Sequence, residues 1–159
     1  MEAVHYFIRH GQEAGNRLTG LGKEQSKQVV NKLLSSGIGN TAIVLSSDET
    51  RALETAEIIA GGLGAAVHES RRLAIAGQLP AAVKDLDVFL KDTLEQSGLK
   101  ALGHEQKLVV VAHAPLLAVI KGLQLNDASN IENGEIIEYV PGSWDTSYYD
   151  ERYAMLLDL

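Results

Sequence analysis

The chain has 159 residues, a formal charge of −7 from 14 basic and 21 acidic side chains, and no cysteine. That length suits one domain, 1–159, with a three-layer core, and the charge argues against non-specific binding to nucleic acid or an anionic membrane. Without cysteine there is no disulfide framework, thiolate metal site or thiol nucleophile. No basic leader with an apolar core opens the sequence and no apolar run reaches membrane-spanning length, so a cytoplasmic location is the default expectation.

The first apolar run, Val4 to Ile8, reads as a buried strand that stops at Arg9-His10-Gly11. A polar loop from Gln12 to Leu18 follows, and Thr19 can cap a helix to about Ser36 with Leu21, Val29, Val30, Leu33 and Leu34 inward. Ala42-Ile43-Val44-Leu45 is a second strand, stopping at Ser46-Ser47-Asp48. The next helix, Glu49 to about Leu63, has Arg51 in its first turn. A cation there opposes the helix dipole unless both share an anionic ligand.

Ala65 to His68 is a weak third strand, and Arg71 to Gln78 reads as a loop. Pro80 suits the first turn of a helix carrying Val83, Leu86, Phe89, Leu90 and Leu94 inward. Leu108-Val109-Val110-Val111-Ala112 is the strongest strand. It ends at His113, with Ala114-Pro115 opening a helix through Leu123. Glu135 to Val140 and Tyr153 to Leu157 read as two closing strands, antiparallel and joined by a turn at Pro141-Gly142. Strands alternating with amphipathic helices predict an α/β sandwich with a mainly parallel sheet.

Three units therefore share one design: a buried strand, a cationic or imidazole residue at its carboxyl end, then a polar loop or a helix. In a parallel sheet those ends lie on one edge, where α/β proteins bind ligands. Arg9, His10, Arg51 and His113 would converge there with no carboxylate among them. That set suits a phosphoryl group, whose spread negative charge needs fixed donors, with one histidine free to attack phosphorus. A metal site is the rival for paired histidines, and flanking guanidiniums rank it well below phosphate.

In that order along the chain, the motifs resemble the histidine phosphatase superfamily, also called phosphoglycerate mutase-like. Arg9-His10-Gly11 matches its signature triplet, Leu18 to Gln25 its first helix start, Ser46 to Ala56 its arginine motif, and Ala112 to Leu116 its late histidine motif. The resemblance implies an α/β/α sandwich and a phosphatase or mutase needing no metal or other cofactor. It implies His10 as nucleophile, Arg9, Arg51 and His113 as the phosphate pocket, and Asn16 as a further contact to the phosphoryl group.

Many members carry a glutamate after the third strand that protonates the leaving group. Here Arg72 to Gln78 contains no acid, and Gln78, assigned to substrate binding, cannot titrate. Glu13 and Glu49 stand as substitute acids against a plain solvated role. The compact build is most similar to the SixA-type phosphohistidine phosphatases, although Ile75 stands where those usually have proline. A phosphoramidate bond is labile enough to dispense with a strong acid, so a phosphohistidine protein is the expected substrate. A small phosphomonoester, or phosphate binding without catalysis, are the alternatives.

His5, His68, His104 and the pair Arg71-Arg72 read as structural or surface residues, and Trp144, Tyr148 and Tyr149 as a packed loop.

Overall fold

The computed structural model describes residues 4–78, 80, 83–99, 107–127 and 129–144. The five apolar runs within that range become a single sheet. β1 (His5–Arg9), β4 (Ile43–Ser47), β5 (Val67–Ser70) and β6 (Leu108–Ala112) are mutually parallel, and β7 (Ile136–Tyr139) runs antiparallel beside β1. Their order is β5-β4-β6-β1-β7. Between the first two of these strands, the expected loop contains a two-rung hairpin, β2 (Glu13–Ala14) and β3 (Arg17–Leu18), turned by Gly15 and Asn16 at positive φ. The expected strand at Tyr153–Leu157, and His104, Tyr148 and Tyr149, lie outside the described residues.

Side-chain alternation along the strands divides the core in two. Phe7, Leu45, Leu108, Val110, Ala112, Ile137 and Tyr139 face α3 (Arg71–Gln78), α4 (Leu86–Gln96) and α5 (Ala114–Leu125). Tyr6, Ile8, Val44, Val109 and Val111 face α1 (Gly20–Ser35) and α2 (Thr50–Leu63). The result is the expected three-layer α/β/α sandwich with a mainly parallel sheet and one antiparallel strand. Trp144 packs, partly buried, against the first core.

Local signals set several boundaries. The Thr19 hydroxyl accepts from the Gly22 amide and caps α1, and Pro115 sits in the first turn of α5. α4 starts later than Pro80 suggests, because Asp85 caps it by accepting from the amides of Asp87 and Val88. The stretch Arg71 to Gln78 is a helix, not a loop. Leu73, Ala76 and Gly77 recur at helical spacing and bury one face of it. Arg72 lies over the Phe89 ring at 4.8 Å, so only Arg71 of the basic pair is fully exposed. Leu21 and Leu34 are exposed on α1, where Val29, Val30 and Leu33 fill the core.

The amino-terminal half of α1 buries the small residues Gly22 and Ser26 instead, and this lets the loop after β1 pass very close. A Cβ on Gly22 would collide with the Gln12 carbonyl, and one on Gly11 with the carbonyl of Gly22. Both neighbours are backbone and cannot swing aside. Gly22→Ala should therefore cost about 1–3 kcal/mol of stability through overpacking, read from the urea midpoint. Gly20→Ala, with open space around it, should shift the midpoint little.

Candidate active site

Sheet register brings the site together. Arg9 pairs with Ala112 across β1 and β6, so the next residues, His10 and His113, emerge side by side. Their ring centroids are 5.5 Å apart. Ser46 pairs with Val111 across β4 and β6, which places Ser47 and the start of α2 beside His113. Arg51, in the first turn of α2, closes the cluster.

The Arg51 guanidinium lies between the two imidazoles. Its Nε donates to His10 Nε2 at 3.2 Å, and its NH2 group stands 3.4 Å from His113 Nδ1. Its remaining nitrogen, NH1, donates to Asn16 Oδ1 at 3.0 Å, and the Arg51 backbone amide reaches the same oxygen at 3.3 Å. Asn16 holds this position in the left-handed conformation, φ 64°, which asparagine tolerates better than most residues. Thr55 braces the other side, accepting from the Gly11 amide at 3.1 Å and donating to the Arg51 carbonyl at 2.9 Å.

Hydrogen-bond partners assign the tautomers. His10 Nδ1 is 2.9 Å from the Gly11 carbonyl, which can only accept, so Nδ1 carries the proton and Nε2 keeps its lone pair. His113 Nδ1 faces a guanidinium donor, so its proton lies on Nε2, directed at Ser47 Oγ at 2.8 Å. Burial, followed by the charge of Arg51, pushes the His113 pKa down to about 4. Burial likewise lowers the His10 pKa. The Gly11 carbonyl pulls it upward, Arg51 and Arg9 add to the lowering, and Glu13 opposes it. Both rings are neutral at physiological pH.

Arg9 is aimed differently. One NH1 hydrogen goes to the Ile131 carbonyl at 2.6 Å, while Nε is buried with no hydrogen-bond partner among the described residues. An unpaired buried guanidinium donor is costly, and it is the kind of group an anion can satisfy. Together, the two arginines form a cationic cradle around the unprotonated Nε2 of His10. Among the described residues no group of three histidines or acids is spaced to hold a metal ion.

Arg9, His10, Arg51, His113 and Asn16 thus meet at one sheet edge. No hydrogen bond among the described residues joins Gln78 to them: it is exposed, and its side-chain amide donates back to the Ala74 carbonyl at 3.3 Å. The adjacent Gly77 is what approaches the site, since a Cβ there would lie 2.8 Å from His113 Cδ2. Glu13 and Glu49 are engaged as acceptors, Glu13 from the Asn16 amide at 2.8 Å and Glu49 from the Asn16 side chain at 3.3 Å. Glu49 also lies 3.9 Å from Arg51 NH1. Ser47, Thr55 and Asn133, which donates to the His10 carbonyl at 3.1 Å, were not singled out by sequence. Ser47 and Thr55 lie within the Ser46 to Ala56 motif, and Ser47 also stands at the end of a buried strand, whereas Asn133 had no signal.

Two comparisons bear out the resemblance. The profile of the histidine phosphatase superfamily (branch 1) matches residues 5–74, which span β1 to the first half of α3. Solved structures share the fold at low identity. One, titled mycobacterial hydrolase 1, has a TM-score of 0.58 at 20% identity, with 88% of this chain and 92% of that one covered. The protein histidine phosphatase SixA, solved with tungstate, has a TM-score of 0.58 at 18% identity, covering 87% and 97%. A mycobacterial glucosyl-3-phosphoglycerate phosphatase, solved with VO3, has a TM-score of 0.56 at 20% identity, covering 90% and 99%. No curated protein sequence matches significantly.

The buried imidazoles give a direct test. In a histidine-labelled sample followed by NMR, His113 should titrate near pH 4. Arg51→Gln should raise the pKa of both His10 and His113 by removing a neighbouring charge from each. Between the ordinary 6.5 and about 4 the unfolded chain binds the proton that native His113 refuses. His113 therefore makes stability fall as pH drops through that window, and Arg51→Gln should shallow the fall.

Proposed function

We propose that the chain is a phosphatase that hydrolyses a phosphoryl group through a phosphohistidine intermediate on His10. The observation that carries this is the Arg51 guanidinium lying against the unprotonated Nε2 of His10. Nucleophile and electrostatic clamp share one point. Two of the structural relatives, SixA and the glucosyl-3-phosphoglycerate phosphatase, are phosphatases by name, and the second was also solved with inorganic phosphate.

The geometry leads to an order of events. Phosphoryl oxygens take over the Arg51 donors and the free Nε of Arg9, and this releases His10 Nε2 from its hydrogen bond. Nε2 attacks phosphorus, an N–P bond forms, and the bond from phosphorus to the leaving group breaks with its electron pair on the leaving group. Negative charge spread over the equatorial oxygens meets donors already in place, which is where most of the rate gain lies. Water then attacks phosphorus, and the N–P pair returns to His10. The proton on Nδ1 stays with the Gly11 carbonyl throughout and keeps Nε2 directed at the reaction.

For the substrate, a phosphohistidine on a protein fits the absence of a proton donor among the described residues at the site. Glu13 and Glu49 are tied to Asn16, and α3, in the stretch after β5 where many family members carry their acid, contains none. An alkoxide leaving group forgoes roughly 10²–10⁴-fold without a positioned acid, whereas a phosphoramidate forgoes less. A small phosphomonoester is the second reading, favoured by likeness of equal degree to the glucosyl-3-phosphoglycerate phosphatase. A binding module without catalysis would have no need of an unprotonated nitrogen beside the anion site.

Phosphate release from a phosphohistidine protein and from a panel of sugar phosphates, measured on wild type and His10→Ala, tests the reading. Wild type should prefer the phosphohistidine protein and His10→Ala should be inactive. Undiminished turnover in the variant would end the proposal, and a preference for sugar phosphates would move it to the second reading. The rate should fall on the acid side with the slope of a single protonation, at a pH below 6.5, because the lowered His10 pKa keeps Nε2 free further into acid.

A further inference from the structure

The loop between α5 and β7 does more than connect them. Four of its contacts fall on the Arg9-His10 pair, more than 120 residues earlier in the chain. The Arg9 amide donates to the Glu135 carbonyl at 3.2 Å, and the Gly134 amide returns a bond to the Arg9 carbonyl at 3.0 Å. Arg9 NH1 donates to the Ile131 carbonyl at 2.6 Å, and Asn133 Nδ2 donates to the His10 carbonyl at 3.1 Å. The first two continue the β1–β7 ladder. The last two lie beyond any ladder and reach the guanidinium and the peptide of the nucleophile.

The loop itself is anchored from below by Lys121, a buried cation on the mostly apolar α5. Lys121 Nζ is 2.7 Å from Glu135 Oε2, 3.8 Å from Asp127 Oδ2 and 3.5 Å from the Asn130 carbonyl. The Glu135 carboxylate also accepts the Glu132 amide at 2.9 Å. A lysine that is 7% exposed, reaching both ends of one loop, fixes the loop's shape and not merely its presence. Gly134 completes the turn at φ 76°, with Gln25 of α1 against it.

We propose that Asn133 is a positioning residue for His10, and that Lys121 and Glu135 hold the Asn133 loop in the shape that aims both His10 and the Arg9 fork. The inference rests on His10 as nucleophile. Ile131 takes one Arg9 hydrogen and thereby turns the remaining face of the guanidinium toward the anion. Asn133 fixes the His10 peptide, and with it the Gly11 carbonyl that holds the ring by Nδ1. Misplacing a reacting group by an ångström costs up to about 100-fold in rate.

Asn133→Ala and Asn133→Asp in the full chain test this, with p-nitrophenyl phosphate as generic donor and tungstate as the bound anion. Aspartate matches asparagine in shape and cannot donate. The expected result is a fall in kcat of about 10-fold or more in both variants, with KM and tungstate affinity within about threefold of wild type and the melting temperature little changed. A kcat within twofold of wild type, or an aspartate variant as active as wild type, would overturn the proposal. Lys121→Met should lower kcat similarly and Lys121→Arg should restore it. Loss in both, matched by a lower melting temperature, would reduce Lys121 to a stabilising role.

A readout independent of turnover separates this inference from the proposed activity. In histidine-labelled protein, Asn133→Ala should shift the His10 ring resonances and leave those of His68 in place. If wild type forms no phosphoenzyme and yet His10 moves, the activity is refuted and the positioning stands. Unmoved His10 resonances would refute the positioning whatever the activity.

Discussion

Two guanidiniums and two imidazoles crowd one edge of the sheet, and such a cluster is stable only while the imidazoles stay neutral. Burial and the arginines enforce this together: each lowers the histidine pKa values, and neutrality lets a guanidinium donate to ring nitrogens. The same constraint creates reactivity. A neutral His10 with its Nδ1 proton committed to the Gly11 carbonyl keeps one lone pair, on Nε2, and that lone pair lies at the cationic centre, accepting from Arg51. The site is therefore incomplete in charge until an anion enters.

The supports around the cluster follow from that constraint. Among the described residues, the groups that hydrogen-bond to Arg51, His10 or His113 as braces are neutral: Asn16, Thr55, Ser47, Asn133 and backbone carbonyls. Carboxylates stand mostly one step further out, where Glu13 and Glu49 hold Asn16 and Glu135 holds the Asn133 loop through Lys121. A carboxylate paired closely with either arginine would neutralise the field that an anionic substrate needs. The 3.9 Å approach of Glu49 to Arg51 is the one partial exception, and it lies at the half-exposed rim.

Much of this was legible in residue order. Strand ends at Arg9, Ser47 and Ala112 follow from apolar runs, and a parallel sheet then obliges their ends to meet. Thr19 and Pro115 marked helix starts by capping and geometry that act over a few residues. What escaped reading required contacts distant in sequence. The Asn133 loop is polar and unremarkable until β7 pairs with β1, which lays it over His10. Helix α3 is short enough that its four buried positions gave too little periodicity, and packing against α2 and the sheet turns Val29, Val30 and Leu33 of α1 inward and leaves Leu21 and Leu34 exposed. Gln78 was read from its place in a family pattern, and its side chain turns back on its own helix.

The central claim is that His10 Nε2 takes the phosphoryl group. Rapid quenching during turnover, followed by 31P NMR and intact mass of the denatured protein, reads this directly. The account predicts one phosphoryl group per chain, labile in acid and stable in base, mapped to His10 and absent from His10→Ala. A phosphoryl group that survives acid, maps to another residue, or never forms while phosphate is released would contradict it.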